Sequence, residues 1–378
     1  MTSSTFREVS VPYKPFSTLP NARELARRHD MAFVSWRMPG DTEPSWMIGH
    51  FSTLDINEFK PPVFVKALFN NTLTAEGLDP VLAHWDNSLF SREDSQLSLD
   101  EILKEKSRPR YEKGHVREST ELTTKSQYME LCQKALDQIK NKKLEKVVLA
   151  RARELTLGDG FDSAAYFTAL CEQFPEAFVS IAHDPREDGP YGGVWINATP
   201  EVLMEVDEES FSTMALAGTT KHDGDGFSQK EQEEQSYVDY YIRRKLDEHQ
   251  LSYRANHPEP QKAGHLMHLK SRYSIPNEQN WPSLLTSLHP TPAVCGYPAD
   301  KALKFILEHE HFNRGYYAGF LGPILDEQWA AIYVNLRCMQ IQGNKAYLYA
   351  GAGIVEDSVP EEEWEETEEK INTLFKHL

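Results

Sequence analysis

The chain has 378 residues, of which 40% are hydrophobic and 26% are charged, as expected of a folded globular protein with a substantial core. Its formal net charge of −18 at pH 7 argues against a nucleic-acid or anionic-membrane partner, because either would require a basic surface. An anionic substrate would need a local group of Lys, Arg or metal cations to offset the negative field of the whole protein.

The amino-terminal sequence "MTSSTFREVSVPYKPF" lacks the apolar segment of an export signal. No run in the chain approaches the roughly 18 apolar residues of a membrane span. The four cysteines are widely spaced and form no CxxC pair, so neither a disulfide framework nor a zinc site is expected. We therefore expect a cytoplasmic protein with reduced thiols.

The clearest break in composition is the charged segment over residues 104–120. It divides residues 1–119 from residues 120–378, and we expect the first part to belong to the same α+β unit as the second. A helix is predicted to begin at Thr124, because Gln127 completes a capping box three residues later. Its apolar face comprises Tyr128, Leu131, Cys132, Ala135 and Ile139.

Several β-branched and aromatic runs follow this helix and predict strands. The first covers residues 146–157, and the later ones read "AFVSIAHD", "GGVWINAT", "AAIYVNLRCMQI" and "AYLYAGAGIV". Long amphipathic stretches at residues 228–249 and 358–378 predict two further helices. Many strands with few interspersed helices favour an α+β fold over a strictly alternating parallel sheet.

The helix predicted over residues 228–249 begins with a capping box formed by Ser228 and Glu231. At about 100° per residue, Glu231 and Glu234 project onto the same face as the apolar Val238. Carboxylates on a core-facing stripe are costly unless they are paired or bind a cation. The alternative is that the first turn extends beyond the core and leaves both carboxylates in water.

The helix predicted over residues 358–378 has the same kind of beginning, with Ser358 and Glu361 as a capping box. Its acidic run divides between two faces. The side chains that lie along the flank of the buried face are Glu363, Glu366 and Lys370. Those that point to solvent are Glu362, Glu365 and Glu369.

Each of these helices therefore carries a Glu-x-x-Glu pair near its start. Oxygen ligands from carboxylates suit a hard cation, and Mg²⁺ in proteins takes one or two carboxylates together with water and substrate oxygens. If the two helices face one another, the pairs predict a Mg²⁺ site between them.

Seven ordered motifs over residues 120–378 resemble those of the chorismate-binding enzymes, and among them most closely the isochorismate synthases. They are "KVVLAR", "ATPEVLMEV", "LAGTT", "LHPTPAVCGYP", "RGYYAGFLG", "VNLRCMQI" and "AGAGIVEDSVPEEEWEETEEK". The resemblance implies an α+β fold of two stacked antiparallel or mixed sheet layers, with helices outside and the active site in the cleft between the layers.

The resemblance also implies a reaction, in which water adds to C2 of chorismate while the C4 hydroxyl leaves, reversibly and with Mg²⁺. Lys146 corresponds to the general base, and it must be neutral to act, so its pKa should be depressed. Glu201 corresponds to the general acid, and apolar surroundings should raise its pKa.

The remaining site residues follow from the same resemblance. Glu234 and Glu366 correspond to the Mg²⁺ ligands, and Glu231 and Glu363 to alternative or supporting ligands. Arg337 corresponds to the residue that binds the enolpyruvyl carboxylate, for which a guanidinium fork is a natural donor. The other implied substrate-binding residues are Gly218, Thr219, His268, Ala293, Tyr317, Gly351, Gly353 and Lys370.

Other activities within and outside this family are alternatives. Relatives that use ammonia carry Gln where this chain has Lys146, so water is the expected nucleophile and no glutamine amidotransferase subunit is expected. Salicylate synthase, which also eliminates pyruvate, is the nearest alternative; those enzymes tend to have Thr near Ala293, and Ala favours stopping at isochorismate. An inactive acidic scaffold is disfavoured by Lys146 and Glu201.

The pathway is less constrained than the reaction. The lack of a fused carrier or lyase domain favours menaquinone synthesis over siderophore synthesis. Three positions depart from the family pattern: Lys221 and Gln235 stand where Arg and His are usual, and Met267 stands where Trp is common.

Overall fold

Seven helices lie in the part of the chain that the computed structural model describes. That part comprises residues 6–8, 19–70, 74–85, 88–92, 122–185, 192–220, 226–263, 266–276 and 281–375. The helices are α1 (Leu19–Arg28), α2 (Lys125–Lys140), α3 (Ser163–Gln173), α4 (Gln229–Glu248), α5 (Trp281–Leu288), α6 (Ala299–His309) and α7 (Pro360–Phe375).

Nineteen strands accompany the helices in the same described residues. The first nine are β1 (Phe6–Glu8), β2 (Ala32–Arg37), β3 (Ser45–Asp55), β4 (Val63–Ala67), β5 (Thr74–Trp85), β6 (Ser88–Arg92), β7 (Lys146–Thr156), β8 (Phe178–Asp184) and β9 (Gly193–Thr199). The next are β10 (Val202–Val206), β11 (Ser210–Thr220), β12 (Arg254–Ala255), β13 (Glu259–Ala263), β14 (Leu266–Pro276) and β15 (Gly296–Tyr297). The last are β16 (Phe320–Asp326), β17 (Trp329–Val334), β18 (Cys338–Gln342) and β19 (Lys345–Ile354).

The strands form two antiparallel layers that are joined through β5. The first layer has the order β15–β7–β19–β18–β9–β8–β2–β3. The second has the order β4–β16–β17–β10–β11–β14, with β12 and β13 on the far edge of β14. Strand β5 pairs with both β3 and β4, and β6 and β1 extend it.

A hydrophobic core holds the inner faces of the two layers together. It contains side chains from β2, β3 and β8 of the first layer and from β4, β16 and β17 of the second. The rings of Phe178 and Tyr333 stack across it with centroids 4.3 Å apart. Helices α1, α3 and α7 cover the outer face of the first layer, and α4 and α5 pack against the second. The predicted α+β fold with helices outside two sheet layers is confirmed.

The predicted helix starts agree with the structure in two places and differ in a third. At Thr124 the backbone N donates to Gln127 Oε1 at 2.8 Å, and Ser228 also begins its helix with a capping box. The capping box predicted at Ser358 is wrong. Its hydroxyl instead accepts a bond from the backbone N of Val355 at 3.1 Å, and Glu361 forms an ion pair with a lysine of α2.

The strands of the first 119 residues pair directly with strands of the later region. Strand β2 pairs with β8, and β4 pairs with β16. The charged segment over residues 104–120 lies outside the described residues, so the boundary between the two parts stays a prediction. Among the helices that the structure describes, none is long and apolar enough to cross a membrane.

Candidate active site

A cleft lies between the layers, where the ends of β7, β14 and β19 meet α4 and α7. Most of the predicted site residues line it. They are Lys146, Glu201, Gly218, Glu234, His268, Ala293, Tyr317, Arg337, Gly351, Gly353 and Lys370. The predicted residues outside this lining are Thr219, whose side chain is not among the described ones, and Glu231, Glu363 and Glu366.

Lys146 is the first residue of β7 and is 1% exposed. Its Nζ lies 3.6 Å from Glu234 Oε2. Burial lowers the pKa of the Lys146 ammonium, and the charge of Lys370 lowers it further, while Glu234 and Glu201 oppose both effects. The depressed pKa gives this lysine access to the neutral form that a base requires.

Glu201 occupies the short connection between β9 and β10 and is 6% exposed. Its carbonyl accepts a bond from the backbone N of Val334 at 2.9 Å, which ties it to β17. Burial raises the pKa of the Glu201 carboxyl to about 8, although Lys146 and Lys370 pull it down. The carboxyl is therefore protonated near neutral pH and can donate a proton.

His268 lies on β14, opposite Thr219 of β11. Burial lowers the pKa of this imidazole to about 3, and the charges of Arg337 and Lys370 act in the same direction. The pairing register between β11 and β14 shifts beside Gly218, which has a φ of +70°. A Cβ at Gly218 would lie 2.5 Å from the carbonyl O of Glu231, so only glycine allows β11 to approach the start of α4 this closely.

Arg337 lies in a break between β17 and β18, in a stretch that the sequence predicted as one strand. Its φ of +45° turns the chain out of the sheet, and its carbonyl accepts a bond from the backbone N of Ala198 at 3.1 Å. Burial lowers the pKa of the Arg337 guanidinium, but its ordinary value is so high that it stays cationic. Tyr317 lines the same part of the cleft and stacks on Tyr349 with ring centroids 5.5 Å apart.

Two glycines of β19 form the wall of the cleft next to these groups. A Cβ at Gly353 would lie 2.9 Å from Glu234 Oε2, and one at Gly351 would lie 3.0 Å from the Tyr317 hydroxyl. The Gly351 carbonyl accepts a bond from Lys370 Nζ at 2.9 Å. Their lack of side chains leaves room for the functional groups around them.

The four predicted metal-binding carboxylates occupy different surroundings. Glu366 Oε1 lies 2.6 Å from Lys370 Nζ, and Glu234 is paired with the buried lysine described above. Glu231 Oε2 accepts the backbone N of Ser228 at 2.7 Å, so this carboxylate caps α4. Glu363 is 1% exposed and raises the pKa of the Cys132 thiol of α2, after the larger effect of burial.

The chemistry of these donors bears on whether they suit Mg²⁺. In the described part of the chain, no three His, Cys, Asp or Glu side chains are grouped as a metal site. Glu234 and Glu366 are partly exposed carboxylates, and each pairs with a lysine that lines the cleft. One or two carboxylates with water and substrate oxygens are what Mg²⁺ takes in proteins. The donor set therefore fits a hard divalent cation.

A buried ion pair that sequence reasoning missed supports the cleft from behind. Arg314 Nη2 and Glu310 Oε1 are both in side chains that are 3% exposed. The Arg314 guanidinium donates to the carbonyls of Val148 at 2.7 Å and Val294 at 2.9 Å, and Glu310 accepts the backbone N of Ala150 at 2.8 Å. The spacing of four residues between Arg314 and Glu310 was the one signal in the sequence, and it does not indicate burial.

The chain is similar to known proteins over most of its length. Residues 81–378 match the family described as chorismate binding enzyme. The chain is 27% identical over 378 residues to the isochorismate synthase EntC of Escherichia coli K12, covering 96% of this chain and 92% of that protein.

Two solved structures share the fold. The menaquinone-specific isochorismate synthase MenF of Escherichia coli superposes with a TM-score of 0.77 at 23% identity, over 100% of this chain and 95% of that one. Anthranilate synthase component I of Streptococcus pneumoniae gives a TM-score of 0.60 at 19% identity, over 85% of this chain and 77% of that one.

Proposed function

Because the chain belongs to the chorismate-binding enzymes, we propose that it is an isochorismate synthase, an isomerase that converts chorismate to isochorismate reversibly. The observation that carries this proposal is the pairing of Lys146 and Glu201 in one cleft, with pKa values that burial moves in opposite directions. The relative EntC, which the chain matches over most of its length, is an isochorismate synthase.

Lys146 and Glu201 supply the two proton transfers of the reaction. Neutral Lys146 accepts a proton from water, whose oxygen bonds to C2 of the ring. Both ring double bonds shift by one position, to C1=C6 and C4=C5, as the C4–O bond breaks, and protonated Glu201 gives its proton to the leaving hydroxyl, which departs as water. A buried amine and a buried carboxyl are both favoured in their neutral forms, which are the forms this step consumes.

Arg337 and Tyr317 are proposed to bind the enolpyruvyl carboxylate. The guanidinium offers two parallel donors that match a carboxylate. Burial raises the pKa of the Tyr317 phenol, so its hydroxyl stays protonated and can donate. Neutral His268, the backbone around Gly218 and Ala293 also line the cleft and are proposed to border the ring.

Charge balance supports Mg²⁺ as the cofactor. With Lys146 neutral and Glu201 protonated, the charges of Arg337 and Lys370 are cancelled by those of Glu234 and Glu366. Chorismate carries two carboxylates, so further positive charge is needed in this acidic protein. Glu234 and Glu366 would hold the ion. Glu231 and Glu363, one turn earlier on each helix, would be alternative or supporting ligands. The ion would supply positive charge to the ring carboxylate.

Water rather than ammonia is the proposed nucleophile. The amine of Lys146 occupies the position where ammonia-using relatives carry Gln, and no glutamine amidotransferase partner is proposed. Ala293 favours release of isochorismate over the pyruvate elimination of a salicylate synthase. Menaquinone synthesis, with siderophore synthesis as the alternative, and a cytoplasmic location stay predictions.

Product analysis tests this function. Purified protein with chorismate and Mg²⁺, without glutamine or ammonia, is expected to yield isochorismate, and Lys146→Gln is expected to fold and yield none. Chromatography of the products decides the outcome. Salicylate with pyruvate would favour the alternative enzyme, and an inactive wild type would reject the proposal.

A further inference from the structure

The two residues assigned to the enolpyruvyl carboxylate share one support. Tyr317 lies on the loop of residues 313–319, between α6 and β16, and Arg337 lies in the break after β17. Asn335, at the start of that break, donates from Nδ2 to the carbonyl of Tyr316 at 2.9 Å. Its own carbonyl accepts the backbone N of Ala318 at 2.9 Å. The loop and the break are therefore held as one body.

The amino-terminal part of the chain holds this loop from its other side. The backbone N of Phe69 donates to the carbonyl of Gly315 at 3.0 Å. A Cβ at Gly319 would lie 2.0 Å from the carbonyl O of Ala67, so the two backbones touch and glycine alone permits it. The position of the loop thus depends on residues that lie outside the seven family motifs.

A buried lysine of β4 links that part of the chain to the loop through side chains. Lys66 is 4% exposed, and its Nζ lies 2.9 Å from Glu76 Oε2 and 3.2 Å from Asp184 Oδ2. The ammonium also lies 3.9 Å from the ring centroid of Phe51 and 4.6 Å from that of Tyr316. The Tyr316 hydroxyl donates to Glu76 Oε2.

Such a cluster is costly to build, because each buried charge loses its hydration. A pair of apolar side chains would fill the same space at lower cost, so stability alone is a poor explanation for it. The cluster instead fixes the ring of Tyr316 from two directions, by the ammonium against its face and by the carboxylate at its hydroxyl. Tyr316 is adjacent in sequence to Tyr317.

We propose that Lys66 is a positioning residue for substrate recognition. Acting through Glu76 and Tyr316, it fixes the loop so that Tyr317 and Arg337 converge on the carboxylate of the enolpyruvyl group. This inference rests on the proposed function. It gives the amino-terminal third of the chain a part in binding the substrate, although none of the described residues in that third lines the cleft.

Steady-state kinetics of Lys66→Met and Tyr316→Phe test the inference. The enolpyruvyl carboxylate is bound alike in the ground and transition states, so KM for chorismate should rise while kcat stays close to that of the wild type. Small displacements of a binding group cost about tenfold to a hundredfold, and we expect a rise of that order in KM for Lys66→Met. Tyr316→Phe keeps the ring and loses only the hydroxyl, so its rise should be smaller.

Leu170→Ala is the matched control, because Leu170 of α3 is buried in a different hydrophobic cluster. It should lower the thermal midpoint without moving KM. A KM that stays unchanged in both test variants overturns the inference, as does an equal rise in Leu170→Ala. If Lys66→Met does not fold, Tyr316→Phe decides alone. If the wild type turns over chorismate, the variants test this inference alone. If the wild type is inactive, the proposed function itself has failed.

Discussion

At the scale of single residues, burial has opposite consequences for the two groups assigned to proton transfer. It lowers the pKa of the Lys146 ammonium and raises that of the Glu201 carboxyl. In both cases the neutral form is favoured, because an apolar surrounding disfavours charge of either sign. The same burial would therefore prepare both the proposed base and the proposed acid.

The raised pKa of Glu201 predicts a stability cost at alkaline pH. Its folded pKa of about 8 lies above the ordinary value of 4.5. The contribution of protonated Glu201 to the stability of the fold is therefore complete below pH 4.5 and is lost as pH rises to about 8. The slope is at most about 1.4 kcal/mol per pH unit for one group. Glu201→Gln should therefore be inactive but more stable than the wild type at pH 8, measured as the free energy of unfolding in urea.

The exposed Glu208, which follows β10, supplies the control, since Glu208→Gln should leave the pH dependence of stability unchanged. If the free energy of unfolding changes with pH equally in the wild type and Glu201→Gln between pH 5 and pH 8, the argument that burial raises the pKa of Glu201 is contradicted.

The motifs pointed to Lys146 and Glu201 and implied the direction of each pKa shift, whereas no local pattern shows which segments bury them. A lysine that opens a strand is usually exposed, and no local pattern shows that α4 and β19 will close over this one. Gln127 and Thr124, in contrast, predicted their capping box correctly, because both partners lie within one turn of the chain.

At the scale of elements, α7 separates its acidic run much as its helical periodicity predicts. Glu363 is buried and Glu362 and Glu365 are exposed, although Glu369, predicted to face solvent, is half-buried. The predicted strand over "AAIYVNLRCMQI" was wrong as a single element. The break at Asn335 is fixed by contacts with a distant loop, which strand propensity does not register.

The two faces of α7 predict different effects on the metal requirement. Glu366→Ala should sharply raise the Mg²⁺ concentration needed for activity and reduce the thermal stabilisation that Mg²⁺ gives, because it removes one of two proposed ligands. Glu365→Ala should change neither, since Glu365 pairs at the surface with Lys125 at 3.2 Å. Activity and melting temperature are measured against Mg²⁺ concentration for both variants. An equal Mg²⁺ requirement in the two variants would refute Glu366 as a metal ligand.

The glycines of β19 give a steric prediction. In Gly353→Ala the new Cβ would press on Glu234 Oε2 at 2.9 Å and on Lys146 Cε at 3.1 Å. Both are ends of flexible side chains, so the fold should survive while kcat/KM falls by about tenfold or more, as displaced catalytic groups do. Gly158→Ala, where a Cβ would meet nothing within 4 Å, should retain wild-type kinetics; a similar loss there would remove the steric explanation.

At the scale of the whole molecule, the site exists because two sheet layers bring remote segments together. Strand β7 pairs with β19 across about 200 residues of chain, and β4 pairs with β16 across more. The sequence predicted the fold class from the number of strands and from the family motifs, and the structure confirms it. The order of strands in each layer has no local signature, because it depends on which distant edges meet.

The same assembly reconciles an acidic protein with an anionic substrate. The net charge of −18 repels a dicarboxylate at long range, but salt screens that field beyond about 10 Å. Inside the cleft, Arg337 and Lys370 lie close to the proposed substrate carboxylates, where the local charge governs binding. The proposed Mg²⁺ completes the balance.

Isotope labelling of the product tests the central claim most directly, that Lys146 activates water for addition at C2 while Glu201 releases the C4 hydroxyl. Chorismate is incubated with the enzyme and Mg²⁺ in H₂¹⁸O, and the first isochorismate formed is analysed by mass spectrometry. The account predicts one ¹⁸O atom per molecule, located in the C2 hydroxyl. Unlabelled isochorismate would show that the hydroxyl migrates within the substrate and would contradict the account.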